Sequence, residues 1–281
     1  MSDRVTLQIE GAVADVRLAR PDKLNSLDPA MFEGLVAAGR RVARDPSVRA
    51  VVLSGEGRAF CAGLDFASFQ AMKDRGEDAQ AEGDRQLAGD VQMSSAEASP
   101  ANRAQLAAWI WREVPVPVIA AVHGYAYGGG LQIALGADVR LVAPDAQLSV
   151  REIHWGLIPD MAGPTILRQL VRVDVLKELT FTGRIVDGIE AVALGLGTRV
   201  SRNPFEDAME MAREIAGRSP HAIRAAKKLL DAAGGLSDAE SLKLEETLQL
   251  SLMGTPNQAE AVKANFEKRT PLFADPATAS P

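Results

Sequence analysis

Residues 115–142 read PVPVIAAVHGYAYGGGLQIALGADVRLV, and this stretch decides the fold class. Pro115–Val122 is a continuous apolar run of strand length, as expected for a strand buried on both faces. Gly128–Gly129–Gly130 follows as a turn, Leu131–Leu135 opens a helical segment, and Val139–Val142 returns as a strand. Strand, turn, helix and strand in that order imply α/β architecture with right-handed crossovers. Upstream, Val5–Ile9 and Val13–Leu18 alternate around Glu10–Gly11 as a hairpin. Asp28–Pro29 caps a helix running to about Arg44, and Val48–Leu53 is a β-branched strand leading into a Gly55–Glu56–Gly57 turn.

Beyond Asp65 the character changes. Residues 70–105 are rich in Gln, Asp, Glu, Ala and Ser, and read as helix and loop covering a pocket, with 66–105 shaping it. After Asn203–Pro204 the strands stop, and helices are expected at about 205–217, 220–233, 238–253 and 256–268. The organisation expected is therefore a core over 1–203 and a helical region over 204–281 that serves assembly or covers the ligand.

The 281 residues are 47% apolar and 24% charged, with a net charge of −6. That balance fits a globular domain with a sizeable core and argues against nucleic-acid or anionic-membrane partners. No apolar run reaches the roughly 18–20 residues of a membrane helix. The start, Met1–Ser2–Asp3–Arg4–Val5, lacks an apolar signal core, so a cytoplasmic location is the expectation. A single cysteine, Cys61, excludes an internal disulfide, and His123, His154 and His221 are too scattered for a metal motif.

Two glycine-bearing turns carry the chemistry. The Gly128–Gly130 run precedes a helix, whose first N–H groups and positive dipole end face whatever lies before it. An oxyanion, a phosphate or simple close packing are all compatible with that geometry. The run is neither a Walker motif nor a GxGxxG fingerprint. Phe60–Cys61–Ala62–Gly63–Leu64–Asp65 is the second turn, in which Cys61 reads as a small buried side chain rather than a nucleophile. Glu152 and Asp160 follow as candidate proton carriers. His154 is a weaker candidate base, facing with Glu152 only if that segment is extended. His123 reads as a hydrogen-bonded core residue, and His221 as an exposed helix residue.

Several stretches in order together resemble the crotonase (enoyl-CoA hydratase/isomerase) family. They are Arg20–Pro21–Asp22–Lys23–Leu24–Asn25, Ala59–Asp65, His123–Gly130, Leu179–Arg184 and Phe266–Arg269. The resemblance implies a spiral of ββα units with a C-terminal helical region, assembled as homotrimers or homohexamers. It implies an acyl-CoA substrate and no separate cofactor. The N–H groups of Leu64 and Gly129 would then form the oxyanion hole for the thioester carbonyl. CoA would lie near Lys23, Leu24, Ala62 and Gly63, with Lys268 and Arg269 on its phosphates and Arg58 a further basic candidate.

The family's hydratases use two glutamates to hold and activate water. Here the first position is Gln132 and the second is Glu152. An amide can orient substrate or water but cannot carry a proton at neutral pH. Glu152 with Asp160 instead resembles the family's dienoyl-CoA isomerases, which carry a further Asp at the position of Gln132. The favoured expectation is double-bond isomerisation of a 3-enoyl- or 3,5-dienoyl-CoA. Hydration of a 2-enoyl-CoA is the alternative, and a non-catalytic acyl-CoA-binding subunit a further one.

Overall fold

The computed structural model describes residues 3–66, 68, 70 and 99–277. Residues 71–98, most of the stretch expected to cover the pocket, lie outside them. The hairpin forms as β1 (Val5–Glu10) and β2 (Val13–Leu18), paired antiparallel. β3 (Ala50–Gly55), β4 (Val118–Val122), β6 (Val139–Val142) and β9 (Arg199–Val200) continue it, every further pair parallel, in the order β1-β2-β3-β4-β6-β9. A smaller sheet joins β5 (Tyr125–Tyr127), β7 (Gln147–Ser149) and β8 (Val186–Asp187). β3 and β4 start later than the sequence suggests. Val48 sits in the turn after Pro46, and Pro115 and Pro117 have no N–H to give the ladder.

The two central strands read as unbroken apolar runs because both their faces are covered. Val51, Leu53, Val118, Ala120 and Val122 point into one core, while Ala50, Val52, Ile119 and Ala121 point into another. The larger core lies beneath α1 (Pro29–Arg44), α2 (Arg103–Glu113) and α3 (Gly129–Leu135). Asp28 caps α1 by accepting the Met31 N–H at 2.9 Å, and Pro29 sits at its first turn, as the sequence anticipates. The second core is closed by α7 (Pro204–Ala216) through Ala208, Met209 and Ala212. The strands thus end near the expected boundary at 203, yet the first helix beyond it completes the sheet's second face.

Between these lie α4 (Gly163–Leu170), α5 (Val173–Thr182) and α6 (Gly188–Leu194); after α7 come α8 (Pro220–Ala233), α9 (Asp238–Leu252) and α10 (Pro256–Glu267). These last three match the expected tail helices to within a residue at each end. No helix among the described residues is long and apolar enough to cross a membrane.

Lys227 fastens α8 to the core. Its Nζ donates to Asp138 Oδ2 at 2.7 Å and to the carbonyls of Trp111 and Val116 at 3.2 and 3.1 Å. Asp138 Oδ2 also accepts the Val118 N–H at 2.7 Å, so one carboxylate holds both the first residue of β4 and the tail. Breaking a buried pair from one side leaves the other charge uncompensated. Lys227→Met is therefore expected to cost about 3 kcal/mol, the low end for such a loss because Asp138 keeps some solvent contact. Urea unfolding followed by tryptophan fluorescence measures it. A cost smaller than that of a surface ion pair, under about 1 kcal/mol, would contradict the role.

Candidate active site

Backbone hydrogen bonds bring the two glycine-bearing turns together. Phe60 and Cys61 donate to the carbonyls of His123 and Tyr125, both at 2.9 Å, and Tyr127 donates back to Cys61 at 3.1 Å. From the other side, Leu27 donates to Gly63 O at 2.8 Å and Asp65 to Leu27 O at 2.9 Å. Gly63 has φ +89°, and a Cβ there would stand 2.7 Å from Tyr127 O and 3.9 Å from Gly129 N. Only glycine allows that approach. The N–H groups of Leu64 and Gly129 therefore belong to one small region, and neither has an intramolecular acceptor among the described residues.

Buried polar braces hold the first turn in place. Asn25, fully buried at φ +55°, donates to Ala59 O at 2.8 Å and Glu56 O at 2.9 Å, and accepts the Arg20 N–H at 2.8 Å. Arg20 in turn pairs with Asp65. Asparagine tolerates a left-handed backbone and offers both a donor and an acceptor, which suits it to this corner.

A cavity of about 280 Å³ opens in front of the two N–H groups. Leu27, Phe32, Leu64, Trp155, Leu157 and Met161 give it an apolar wall, and Tyr127, Arg151, Glu152 and Asp160 are its titratable groups. Glu152 begins a 3₁₀ turn, Glu152–Trp155, rather than lying in a strand. A Cβ on Gly128 would come within 3.2 Å of Glu152 Oε1, so the carboxyl lies directly against the glycine run. Oε1 accepts from Gln132 Nε2 at 2.6 Å, while Oε2 is buried with no hydrogen-bond partner. Burial raises the Glu152 pKa and the nearby Asp160 charge adds to the rise, against the lowering effect of its own backbone N–H, the Gln132 amide and the Arg151 N–H. Asp160 follows Pro159 at the cavity mouth. It is exposed to the open space, yet the protein around it removes enough water to raise its carboxyl pKa as well.

Of the residues the sequence suggests, Leu64, Gly129, Glu152, Asp160, Ala62 and Gly63 all line this cavity. Gln132 does not. It stands behind Glu152, 2% exposed, with its amide engaged by protein at both ends, away from where it would touch substrate or water. Lys23 is exposed beside Leu24, whose carbonyl accepts the Ala62 N–H at 3.0 Å. Lys268 and Arg269 lie at the end of α10, off the cavity wall, with Arg269 bound to Glu260 and Glu267, both at 2.6 Å.

Arg58 is exposed at the turn before Phe60. His154 turns away in the 3₁₀ segment, its ring nitrogen 3.3 Å from Gly183 O. His123 places a ring nitrogen 3.0 Å from Gly57 O, and His221 is exposed on α8. Burial pushes the Cys61 thiol up to about 12, leaving it no nucleophilic thiolate.

Sequence reading passed over Arg151 and Tyr127. Arg151 donates to Gly183 O at 3.2 Å and lies 5.7 Å from the Tyr127 ring centre. Only its position beside Glu152 could have flagged it. The apolar wall residues come from three separate stretches, 27–32, 64 and 155–161, which no local pattern joins.

Two backbone N–H groups without intramolecular acceptors among the described residues and a desolvated carboxylate line one cavity, an arrangement chemically suited to an oxyanion and a proton transfer. A family model for enoyl-CoA hydratase/isomerase matches residues 8–276. A putative enoyl-CoA hydratase of Thermus thermophilus is 33% identical over 272 residues, 95% of this chain and 100% of the relative. The human mitochondrial Delta(3,5)-Delta(2,4)-dienoyl-CoA isomerase is 30% identical over 266 residues, 92% of this chain and 77% of the relative. A solved putative enoyl-CoA hydratase/isomerase from Mycobacterium abscessus superposes with a TM-score of 0.84 at 28% identity, covering 97% of this chain and 100% of that one. The chain belongs to the enoyl-CoA hydratase/isomerase family, and its fold is the crotonase fold.

Replacing Gly63 forces the turn carrying the Leu64 N–H away from Tyr127 O. Gly63→Ala is expected to lower kcat on an enoyl-CoA by about 10²-fold or more, the effect of losing one oxyanion donor. Steady-state kinetics beside a thermal melt decide it. A folded variant with unchanged kcat would remove Leu64 from the oxyanion hole.

Proposed function

We propose that this enzyme shifts a double bond along an unsaturated acyl-CoA thioester, taking a 3-enoyl-CoA to the 2-enoyl or a 3,5-dienoyl-CoA to the 2,4-dienoyl isomer. The observation that carries this reading is the pairing around Glu152: one oxygen is tied to a neutral amide, and the other is buried, unpartnered and desolvated. Gln132 occupies the place of one of the two glutamates between which the family's hydratases hold water, and it donates there instead of accepting. The relatives include both enoyl-CoA hydratases and a dienoyl-CoA isomerase, so the reading rests on the geometry around Glu152.

In the proposed cycle the thioester oxygen accepts from the Leu64 and Gly129 N–H groups. Glu152 Oε2 removes a proton from C2, and the electron pair moves into the carbonyl to give a conjugated enolate. Each oxyanion donor contributes about 3 kcal/mol as that charge develops. The proton returns at C4 of a 3-enoyl chain or C6 of a 3,5-dienoyl chain, from Glu152 or Asp160, and no atom is gained or lost overall. Ultraviolet absorbance and proton NMR on both substrates in D₂O test the assignment. Rearrangement is expected, with deuterium entering at C4 or C6 where Asp160 returns the proton and the substrate's own proton carried over where Glu152 does. Failure to rearrange either one, with solvent oxygen entering a 2-enoyl-CoA at C3, would assign hydration instead.

Glu152 must be ionised to act as the base, so kcat/KM should fall on the acid side through a pKa above the usual carboxylate range. Glu152→Gln is expected to lower kcat by about 10²–10⁴-fold. The same substitution has the opposite effect on stability. A carboxyl whose folded-state pKa is raised lowers stability once the pH exceeds that pKa, and the penalty vanishes below the unfolded-state value. Glu152→Gln should therefore melt higher than the parent at neutral pH, the gap closing as the pH falls. Thermal melts across that range check the sign.

A further inference from the structure

Gln132 sits in α3, three residues after Gly129, and is 2% exposed. Its Oε1 accepts two backbone N–H groups, from Met161 at 2.8 Å and Gly163 at 2.9 Å. Backbone N–H groups can only donate, so this arrangement fixes which end of the amide is oxygen. The NH₂ group is thereby turned onto Glu152 Oε1 at 2.6 Å. Met161 directly follows Asp160. One buried amide thus joins the helix that begins at the oxyanion glycine, the 3₁₀ turn bearing Glu152 and the turn bearing Asp160.

We infer that Gln132 is a positioning residue: it fixes the Glu152 carboxylate through Oε1, leaves Oε2 as the atom that exchanges the proton, and sets the first acid against the second. The inference deepens the isomerase reading above and rests on it for the identity of the base. A mobile carboxylate would have to be ordered at each turnover, and a glutamate at 132 would share its proton with Glu152. The amide does neither. It holds the base still without adding charge or buffering its proton.

No other side chain around Glu152 takes over this task, and the backbone N–H groups of Glu152 and Arg151, which also favour its charged form, belong to its own turn. Asp160 opposes its ionisation. The Arg151 guanidinium is directed to Gly183 O and the Tyr127 ring, the Tyr127 hydroxyl donates to Gln147 at 2.6 Å, and the His154 ring lies against Gly183 O. Gln132 is the one side chain that hydrogen-bonds the Glu152 carboxylate among the described residues.

The test follows the Glu152 carboxyl directly, by carbon-13 NMR titration of the full chain labelled at glutamate side-chain carboxyls. The signal is assigned by its loss in Glu152→Gln. In Gln132→Leu the titration should move up by about one pH unit or more, because a hydrogen bond to the charged form is lost. Gln132→Glu keeps an acceptor for the Met161 and Gly163 N–H groups and places two carboxyls side by side. Glu152 should then titrate as part of a pair, in two separated steps.

The acid limb of kcat/KM should follow the titration in each variant, with KM little changed. A merely structural role would lower the melting temperature and kcat while leaving the Glu152 titration in place, and that result overturns the inference. Should Gln132→Leu fail to fold, the near-isosteric Gln132→Glu decides. A displaced titration in a protein that rearranges no double bond counts against the isomerase reading and for the positioning role. An unmoved titration in an active isomerase does the reverse.

Discussion

The constraint on which the rest of the structure depends is the short backbone ladder between residues 60–61 and 123–127. Phe60, Cys61 and Tyr127 each contribute an N–H to it, at 2.9, 2.9 and 3.1 Å. It ties the end of one parallel strand to the end of its neighbour just where the chain leaves the main sheet for the smaller one. Parallel strands deliver their exits to the same edge, where α/β proteins commonly bind ligands. The ladder then sets the spacing of the Leu64 and Gly129 N–H groups. The apolar strands, the doubly covered sheet and the Asn25 and Arg20 braces all bear on keeping that edge rigid.

Against this fixed edge stand groups kept in an unfavourable state. Glu152 is a carboxylate with one buried oxygen that has no hydrogen-bond partner, beside a second carboxyl whose charge opposes its own. Such a group persists only because the surrounding structure leaves it no alternative. The 3₁₀ turn closes on Gly156 in the left-handed region, Gly128 N donates to Ser149 O at 2.9 Å, and Gln132 grips the other oxygen. Local instability at this carboxylate is offset by extensive hydrogen bonding one layer behind it, a division common at catalytic sites.

The fold was legible in the sequence wherever one physical signal acted alone. Asp28–Pro29 announces a helix start, the 118–122 run announces a strand buried on both faces, and each tail helix has its own cap or proline. Strand starts are misread where a turn (before β3) or prolines (before β4) hold the first apolar residues out of the ladder, since an apolar run looks the same whether or not its first residues pair. At the site, the glycine turns and both acids could be read because each has an intrinsic chemistry. What could not be read was direction. Gln132 is one residue type with two opposite ends, and only Met161 and Gly163, some thirty residues away, decide which end meets Glu152. His154 could act beside Glu152 only in an extended segment, and the 3₁₀ turn rotates neighbours apart where a strand would align alternate residues.

The donors of Leu64 and Gly129 are main-chain groups, and this separates two properties that side-chain catalysts tie together. Replacing the side chain of Leu64 alters the cavity wall but leaves its N–H in place, so substrate shape can change without removing the donor proposed to hold the enolate oxygen. The exceptions are positions such as Gly63, where any side chain displaces the backbone itself. Variation in this site is thus split between residues that reshape what enters and the few glycines that preserve the electrostatics, which gives the scaffold room to acquire new substrates without rebuilding its chemistry.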